Sequence, residues 1–364
     1  MAIPGQENLL LMPGAAVSVA GVRRPLAQRL LQGRVCALAP MLLGSLYSMC
    51  GQAHRVCSQL ALTALEGGEG SLHRPDAAQR LALWREALRE HVRRLFMDWP
   101  TLLGQGRMPC ASLLVACPGL QPDLPYASPS LHVWLEQHLL GMPIHLWLQG
   151  CQQNPVEWLP QWVHESPSVP AQLLLDALPM GRALQCTWPA LELDEGGAVL
   201  KQLGMHMRAD AEFTSHPYFG GCCLETGSWS RAGAVPVHDV WTRLAMRIAD
   251  LAFLAQDTDG SRLQAGAWSL GAGESIAWCE TARGVLVHWL QVDGKGRIER
   301  YSVLAPTEWN FHPQGAAAQL LRALPHLVAE PEIPQAVDLL VAAWDPCVGH
   351  TLVSAQAPKV AAHA

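Results

Sequence analysis

The sequence predicts an α+β fold that is predominantly helical and forms a single domain over residues 1–364. Apolar residues recur at three- and four-residue steps along most of the chain, which is typical of helices with one buried face. The pattern changes to alternation near residues 285–304, where a small β-hairpin or sheet element is expected. Half of the residues are hydrophobic and 15% are charged, a balance typical of globular chains with a sizeable core.

The helical spacing defines a series of segments along the chain. Gly67–Gly70 is expected to form a loop, and the Arg- and Leu-rich segment that follows it is interpreted as presenting a solvated face. Asp345 precedes a proline, which stops the last helix. The predicted helical segments are 21–63 with a break at Pro40, 75–98, 129–140, 195–208, 238–256, 315–328 and 334–343.

The predicted hairpin is defined by alternation and by its turn. Over residues 285–290, Val, Val and Trp alternate with Leu, His and Leu, which is typical of a strand buried on both faces. Asp293–Gly296 forms the turn, and Ile298–Leu304 forms the returning strand. The glycines at 271–273 are not a dinucleotide-binding motif, because no helix is predicted after them.

Charge and composition exclude several classes of function. The net charge is −6 and no run of Lys or Arg is present, so nucleic acid is not an expected partner. The N-terminal residues lack the basic start of a secretory signal, and no apolar stretch is long enough to span a membrane. Eleven scattered cysteines suit a reducing compartment. We therefore expect a cytoplasmic protein without a membrane span.

Two segments place a thiol next to an imidazole. Cys347 is followed by His350 near the end of the chain, and Cys50 is followed by His54 and Cys57 near its start. Sulfur and imidazole ligands suit late transition metals and low-valent iron. If the fold joins the two segments, they form one metal site. On spacing alone, Cys50, His54 and Cys57 are more often three ordinary core residues than metal ligands.

Together the two segments resemble the motifs of the large subunit of nickel–iron hydrogenases. That family has Cys-Gly-x-Cys-x-x-x-His near its N-terminus and Asp-Pro-Cys-x-x-Cys-x-x-His at its C-terminus. The first cysteines of both motifs are matched by Cys50 and Cys347. Ala53 and His350 replace the second cysteines, and Cys57 and Val353 replace the histidines.

Other segments are similar to family motifs in the same order. They are Leu31–Arg34 before the first motif, Glu225–Arg231, Glu280–Gly284 with its following His288 and Trp289, and Pro306–Asn310. In the family, an arginine and a hydroxyl residue donate hydrogen bonds to the two cyanides of the active-site iron. The resemblance assigns these roles to Arg283 and Thr307, with Pro306 beside them. It implies a hydrogenase large-subunit-like fold.

The resemblance also implies a function. Both bridging cysteines are replaced, so a working hydrogenase is not expected. Cys50 and Cys347 are the expected iron ligands, His54 and His350 are candidate co-ligands or hydrogen-bond partners, and Cys57 is a further candidate. Within the family, the chain resembles the accessory proteins called HupK or HoxV. This implies a non-enzymatic maturation scaffold that transiently holds iron with two cyanides and one carbonyl, and no nickel.

The implied partners are the apo large subunit of a nickel–iron hydrogenase, a small maturation chaperone and other cofactor-assembly proteins. Alternative interpretations are a degenerate non-catalytic large subunit, a quinone-reductase-type relative, and a docking protein without metal. Catalytic subunits are trimmed after the last histidine of the C-terminal motif. Because Val353 stands at that position, we expect no trimming and a retained tail, flexible over about 355–364.

Overall fold

A computed structural model describes residues 8–21, 25–104, 108–231 and 237–353. The expected tail at 355–364 lies outside the described residues, so that expectation stays a prediction. None of the described helices has the length and hydrophobicity to cross a membrane.

Helices make up most of the described chain. Their bounds are α1 Leu26–Leu31, α2 Ala39–Leu46, α3 Gly51–Leu65, α4 Ala77–Arg93, α5 Trp99–Leu103, α6 Ala111–Val115, α7 Pro129–Leu135, α8 Ile144–Gln153, α9 Pro155–Glu165, α10 Val169–Ala183, α11 Ala198–Ala209, α12 Ser228–Arg231, α13 Val240–Gln256, α14 Pro306–Asn310, α15 Ala316–Leu327 and α16 Ile333–Trp344. Helices α4 and α7 each continue into one π-helical turn, Arg94–Asp98 and Glu136–Leu140.

The strands form two sheets. Their bounds are β1 Asn8–Leu11, β2 Val19–Gly21, β3 Leu72–His73, β4 Ala265–Gly271, β5 Glu274–Thr281, β6 Gly284–Val292, β7 Ile298–Leu304 and β8 Gly349–Leu352. The larger sheet is antiparallel with the order β3-β4-β5-β6-β7. The smaller has the order β2-β1-β8, and its β1 and β8 are parallel. It joins the two ends of the described chain.

The alternation at 285–290 is explained by burial of both faces of β6. Leu286 and Leu290 belong to the large core that includes α3, whereas Val285, Val287 and Trp289 belong to a second core under α11. Both faces of the strand are therefore buried, with His288 included, and its alternation separates the two cores.

Most of the predicted elements are confirmed. The segments at 75–98, 129–140, 195–208, 238–256, 315–328 and 334–343 are helical within a few residues, and β6 and β7 form the predicted hairpin. The break at Pro40 was wrong, because Pro40 lies in the first turn of α2. In the first turn of a helix the backbone N–H has no intrahelical acceptor. A proline, which lacks this N–H, therefore breaks no helical hydrogen bond there. The breaks in 21–63 lie at 32–35 and 47–50 instead.

The proline-rich region at 144–183 contains three helices that the sequence did not predict. Pro155 and Pro170 stand in the first turns of α9 and α10, where proline favours a helix start. Pro160 and Pro179 lie inside the same helices. Prolines taken as breaks in a sequence can therefore mark the beginnings of helices.

One carboxyl group on α16 makes stability depend on pH. Burial raises the pKa of Asp338 to about 6 from an ordinary value near 4. The folded chain therefore binds this proton more tightly than the unfolded chain, so the stability contributed by Asp338 falls as pH rises through 6. At pH 8 we expect Asp338→Asn to raise the free energy of unfolding by about 1 kcal/mol. This value is smaller than the pKa shift alone would give, because solvent screens the partly exposed side chain.

Urea denaturation at pH 8 and pH 4 measures this effect. At pH 4 the folded Asp338 side chain is neutral and the unfolded one is about half ionised, so most of the gain is expected to disappear there. An equal gain at both pH values would show that the substitution acts through packing instead.

Candidate metal centre

Cys347 is held in a turn between α16 and β8. The helix ends at Trp344, the following Asp345 has a left-handed φ of 46°, and Pro346 prevents continuation of the helix. The Thr307 hydroxyl donates to the Cys347 sulfur at 3.1 Å and accepts from the Cys347 backbone N–H at 3.1 Å. Thr307 thus fixes both the backbone and the thiol of Cys347.

Cys50 lies at the other end of the site, immediately before the first residue of α3. The first free amides of this helix, from Gln52 and Ala53, donate to the Glu86 carboxylate at 2.7 and 3.2 Å. Burial raises the pKa of Glu86 to about 7. A carboxyl group from α4 therefore caps the helix that carries Cys50.

The two cysteines meet at one cavity of about 650 Å³, which both line. Burial, and secondarily the neighbouring Cys347, raise the pKa of the Cys50 thiol above its usual range. Cys50 is therefore a neutral thiol before metal binds, and a metal must displace its proton. The hypothesis that the fold brings both thiols together is supported by this geometry.

His350 lines the same cavity and is half-buried. Burial and the neighbouring Arg94 lower its pKa, which favours the neutral imidazole that binds metals. However, no three or more His, Cys, Asp or Glu side chains in the described part of the chain are arranged to hold a metal ion together. The five predicted ligands do not form one preassembled cluster.

His54 and Cys57 do not line this cavity. The Nδ1 of His54 is 2.9 Å from Nε2 of His288, and its ring stacks on Tyr47. His54 lines a second cavity of about 270 Å³, which also reaches Cys347. Cys57 is fully buried and its thiol contacts Cys279 on β5. His54 therefore lines a cavity together with Cys347, whereas Cys57 lies in the core.

Arg283 lies in the tight turn between β5 and β6. Its guanidinium is 2.9 Å from Glu90 and 3.3 Å from Asp345, and it is nearly inaccessible to solvent. It borders a water-sized cavity of about 10 Å³ that Cys50 also lines. Arg283 therefore flanks Cys50, while Thr307, with Pro306 before it in α14, flanks Cys347.

The interpretation of 75–98 as a solvated face was wrong for its C-terminal half. Glu86, Glu90 and Arg93 are only partly exposed and Arg94 is buried, and all of them border the cysteine cavities. The sequence analysis missed these side chains, because charges at helical spacing indicate one helix face without revealing what packs against it. The four-residue spacing of Glu86, Glu90 and Arg94 was the signal available.

The motif at 225–231 organises the core behind the site. The buried Glu225 carboxylate accepts from Arg243 Nη2 at 2.7 Å, from Trp344 Nε1 at 2.9 Å and from Trp229 Nε1 at 3.1 Å. Because Trp344 ends α16, Glu225 fixes the helix end that leads to Cys347. Glu225 therefore has a structural role behind the candidate metal centre.

Comparisons with known proteins agree with this organisation. The family model described as nickel-dependent hydrogenase matches residues 237–351, a range that includes Arg283, Thr307 and Cys347 but not Cys50. The hydrogenase expression/formation protein HoxV of Cupriavidus necator is 34% identical, over 98% of this chain and 98% of that protein. The hydrogenase expression/formation protein HupK of Rhizobium leguminosarum bv. viciae is 30% identical, over 88% and 87%.

Solved hydrogenases share the fold. The Ni-Fe-Se hydrogenase from D. vulgaris Hildenborough superposes with a TM-score of 0.51 and 16% identity, over 90% of this chain and 92% of that chain. An NAD+-reducing [NiFe]-hydrogenase gives 0.52 and 14%, over 90% and 91%. At these identities the likeness establishes the fold, and it confirms the expected large-subunit-like α+β architecture.

Proposed function

The chain belongs to the family of hydrogenase expression/formation proteins that includes HoxV and HupK, and from this membership we propose that it is a maturation scaffold. It transiently holds iron carrying two cyanides and one carbonyl, and passes this unit to the apo large subunit of a nickel–iron hydrogenase. It is a carrier rather than an enzyme, and the iron unit is its cargo.

The observation that carries the proposal is the pairing of Cys50 and Cys347 at one cavity. Two thiolates can ligate low-valent iron, for which sulfur is a suitable ligand. Ala53 and His350 stand where the family's bridging cysteines would be. With two thiolates instead of four, the cavity lacks a nickel cage and can release iron more readily.

The surroundings of the two thiols suit this cargo. Thr307 directs its hydroxyl to the Cys347 sulfur, which stabilises the thiolate form that binds iron. Arg283 supplies positive charge behind Cys50, and Glu90 and Asp345 hold it in place. A buried guanidinium is a donor that fits anionic diatomic ligands, whereas the Thr307 hydroxyl has one proton and donates either to the Cys347 sulfur or to a cyanide. Burial favours the neutral imidazole of His350, and His350 and His54 are the candidate co-ligands or hydrogen-bond partners.

The proposed partners are the proteins that deliver the iron unit and the protein that receives it. The iron unit arrives with a small maturation chaperone or another cofactor-assembly protein, and leaves with the apo large subunit. A cavity of about 650 Å³ falls within the usual range of ligand sites and leaves room beside the two thiols. All of these transfers take place in the cytoplasm.

The test is an infrared spectrum of protein purified without oxygen from a host that makes a nickel–iron hydrogenase. We expect two cyanide bands and one carbonyl band, together with iron and without nickel by elemental analysis. A spectrum without these bands would contradict the proposal.

Two other outcomes would identify alternative functions. If a band-free protein still supports hydrogenase maturation after both Cys50 and Cys347 are replaced, it is a metal-free docking protein. Co-purification with an iron–sulfur small subunit would indicate a degenerate large subunit instead.

A further inference from the structure

Helix α2 presents an apolar face to solvent. Its residues Ala39 and Leu43 are buried in the core. The residues at three- and four-residue steps from position 38 form the adjoining face, and they are Leu38, Met41, Leu42, Ser45 and Leu46. Leu38, Met41 and Leu46 are 40, 54 and 36% exposed. A helix that is apolar on every side is normally buried, so this face is suited to a partner that covers it.

The apolar face of α2 continues to the edge of the cysteine cavity. Leu46 and the three residues after it line the cavity of about 650 Å³ that Cys50 and Cys347 share. No residue from Val35 to Met49 carries a charge. A protein that takes an iron unit from this cavity must come against its edge, and α2 is part of that edge.

The charges next to this face are positive. Residues 8–65 contain five arginines and no Asp or Glu, although the whole chain has a net charge of −6. Arg34 directly precedes the uncharged segment, and Arg55 on α3 lies against Gly44 of α2. Both arginines are exposed. The apolar face therefore has a basic border, which complements an apolar surface bordered by carboxylates.

The carboxylates of neighbouring elements do not reverse this charge. Three carboxylates of α4 and its π-helical turn border the cysteine cavities, and each is already paired: Glu86 with the α3 amides, Glu90 with Arg283, and Asp98 with Arg93 and Arg94. The β6–β7 hairpin bonds to the backbone of Gly33 and Cys36, and it carries two charges of each sign, Asp293, Lys295, Arg297 and Glu299. Glu212 and Glu308 line the second cavity together with Arg300.

Two other occupants fit this face poorly. In a symmetric dimer the same face meets its copy, so Arg34 and Arg55 of the two copies would repel each other. A membrane surface is normally bound through exposed aromatic side chains, and Val35–Met49 contains no Trp or Phe. The combination of apolar centre and basic border favours another protein.

We propose that the outer face of α2 is the surface on which the apo large subunit of the hydrogenase docks, through an apolar contact bordered by carboxylates of that subunit. This inference rests on the proposed function, because the docked protein is the one that receives the iron unit. Docking at α2 places the receiving site against the edge of the cavity that holds the iron. The carboxylates of the large subunit pair with Arg34 and Arg55.

The first test is a calorimetric titration of the wild-type chain and two variants with purified apo large subunit. Met41→Glu places a charge in the centre of the face and is expected to weaken binding at least about tenfold. The control is Leu146→Glu on α8, because Leu146 is also an exposed apolar residue, at 48%, and does not line the cysteine cavity. Its affinity should match that of the wild type.

The second test examines the basic border. Arg34→Glu is expected to weaken binding at low salt and to reduce the dependence of affinity on salt concentration, because exposed charge pairs are screened by salt. The control is Arg322→Glu on α15. Both arginines are exposed, and each donates its Nε–H to a backbone carbonyl, Arg34 to Leu30 at 2.6 Å and Arg322 to Ala16 at 3.2 Å. Arg322→Glu should leave affinity and salt dependence unchanged.

Equal affinity of Met41→Glu and the wild type would overturn the inference, while the infrared spectrum would still establish the iron scaffold independently. A wild-type chain that shows cyanide bands but does not bind the apo large subunit would overturn both the inference and the proposed transfer. Three other results would assign the face to a different occupant and also overturn the inference. They are binding to phosphatidylserine vesicles, self-association, or binding to the small maturation chaperone instead of the large subunit, in each case lost in Met41→Glu and retained in Leu146→Glu.

Discussion

Replacing Cys347 by Ser is expected to remove the iron and its infrared bands from the purified protein. Serine offers a hydroxyl that stays protonated at neutral pH and is a poor ligand for low-valent iron. Cys347 also borders both cavities of the site. Iron content should fall at least about tenfold, because half of the proposed thiolate ligands are lost.

The control for this variant is Cys36→Ser. Cys36 is a partly exposed free cysteine that lines neither of the two cavities at Cys347. It should retain iron and the wild-type spectrum. If Cys347→Ser keeps its iron and bands at the wild-type level, Cys347 is not a ligand, and the cargo must be held by other residues.

Replacing Glu225 by Ala is expected to cause the largest loss of stability of the substitutions considered. The change leaves the guanidinium of Arg243 buried without its carboxylate, and it removes the acceptor of Trp229 and Trp344. Breaking a buried ion pair from one side costs about 3–5 kcal/mol in free energy of unfolding. Urea denaturation measures this change, and iron retention should decrease as the end of α16 loosens.

Two further variants distinguish the effect of losing the Glu225–Arg243 ion pair from the general effect of truncating a glutamate side chain. Glu192→Ala removes an exposed glutamate and should change stability by less than about 0.5 kcal/mol. Glu225→Ala combined with Arg243→Met removes both charges and should recover part of the loss. A single-variant loss below about 1 kcal/mol would contradict the role assigned to the buried pair.

The local pattern of residues was sufficient to predict many of the helices and strands. Strand β6 was predicted because its residues alternate, and both faces are buried in separate cores. The end of α16 was predicted because a residue before proline cannot easily stay helical. The helices at 144–183 were not predicted, and in the structure Pro155 and Pro170 start two of them while Pro160 and Pro179 lie inside them.

The sequence by itself determined the helix-rich fold class, the hairpin and the thiol-containing motifs that indicate the family. Only the tertiary structure decided which of these residues meet. It joined Cys50 to Cys347 across one cavity, turned His54 towards His288 and buried Cys57 against Cys279. It also brought Arg94 to the cavity wall. Spacing along a helix fixes the face on which a side chain lies, but the partner of that face depends on packing between distant segments.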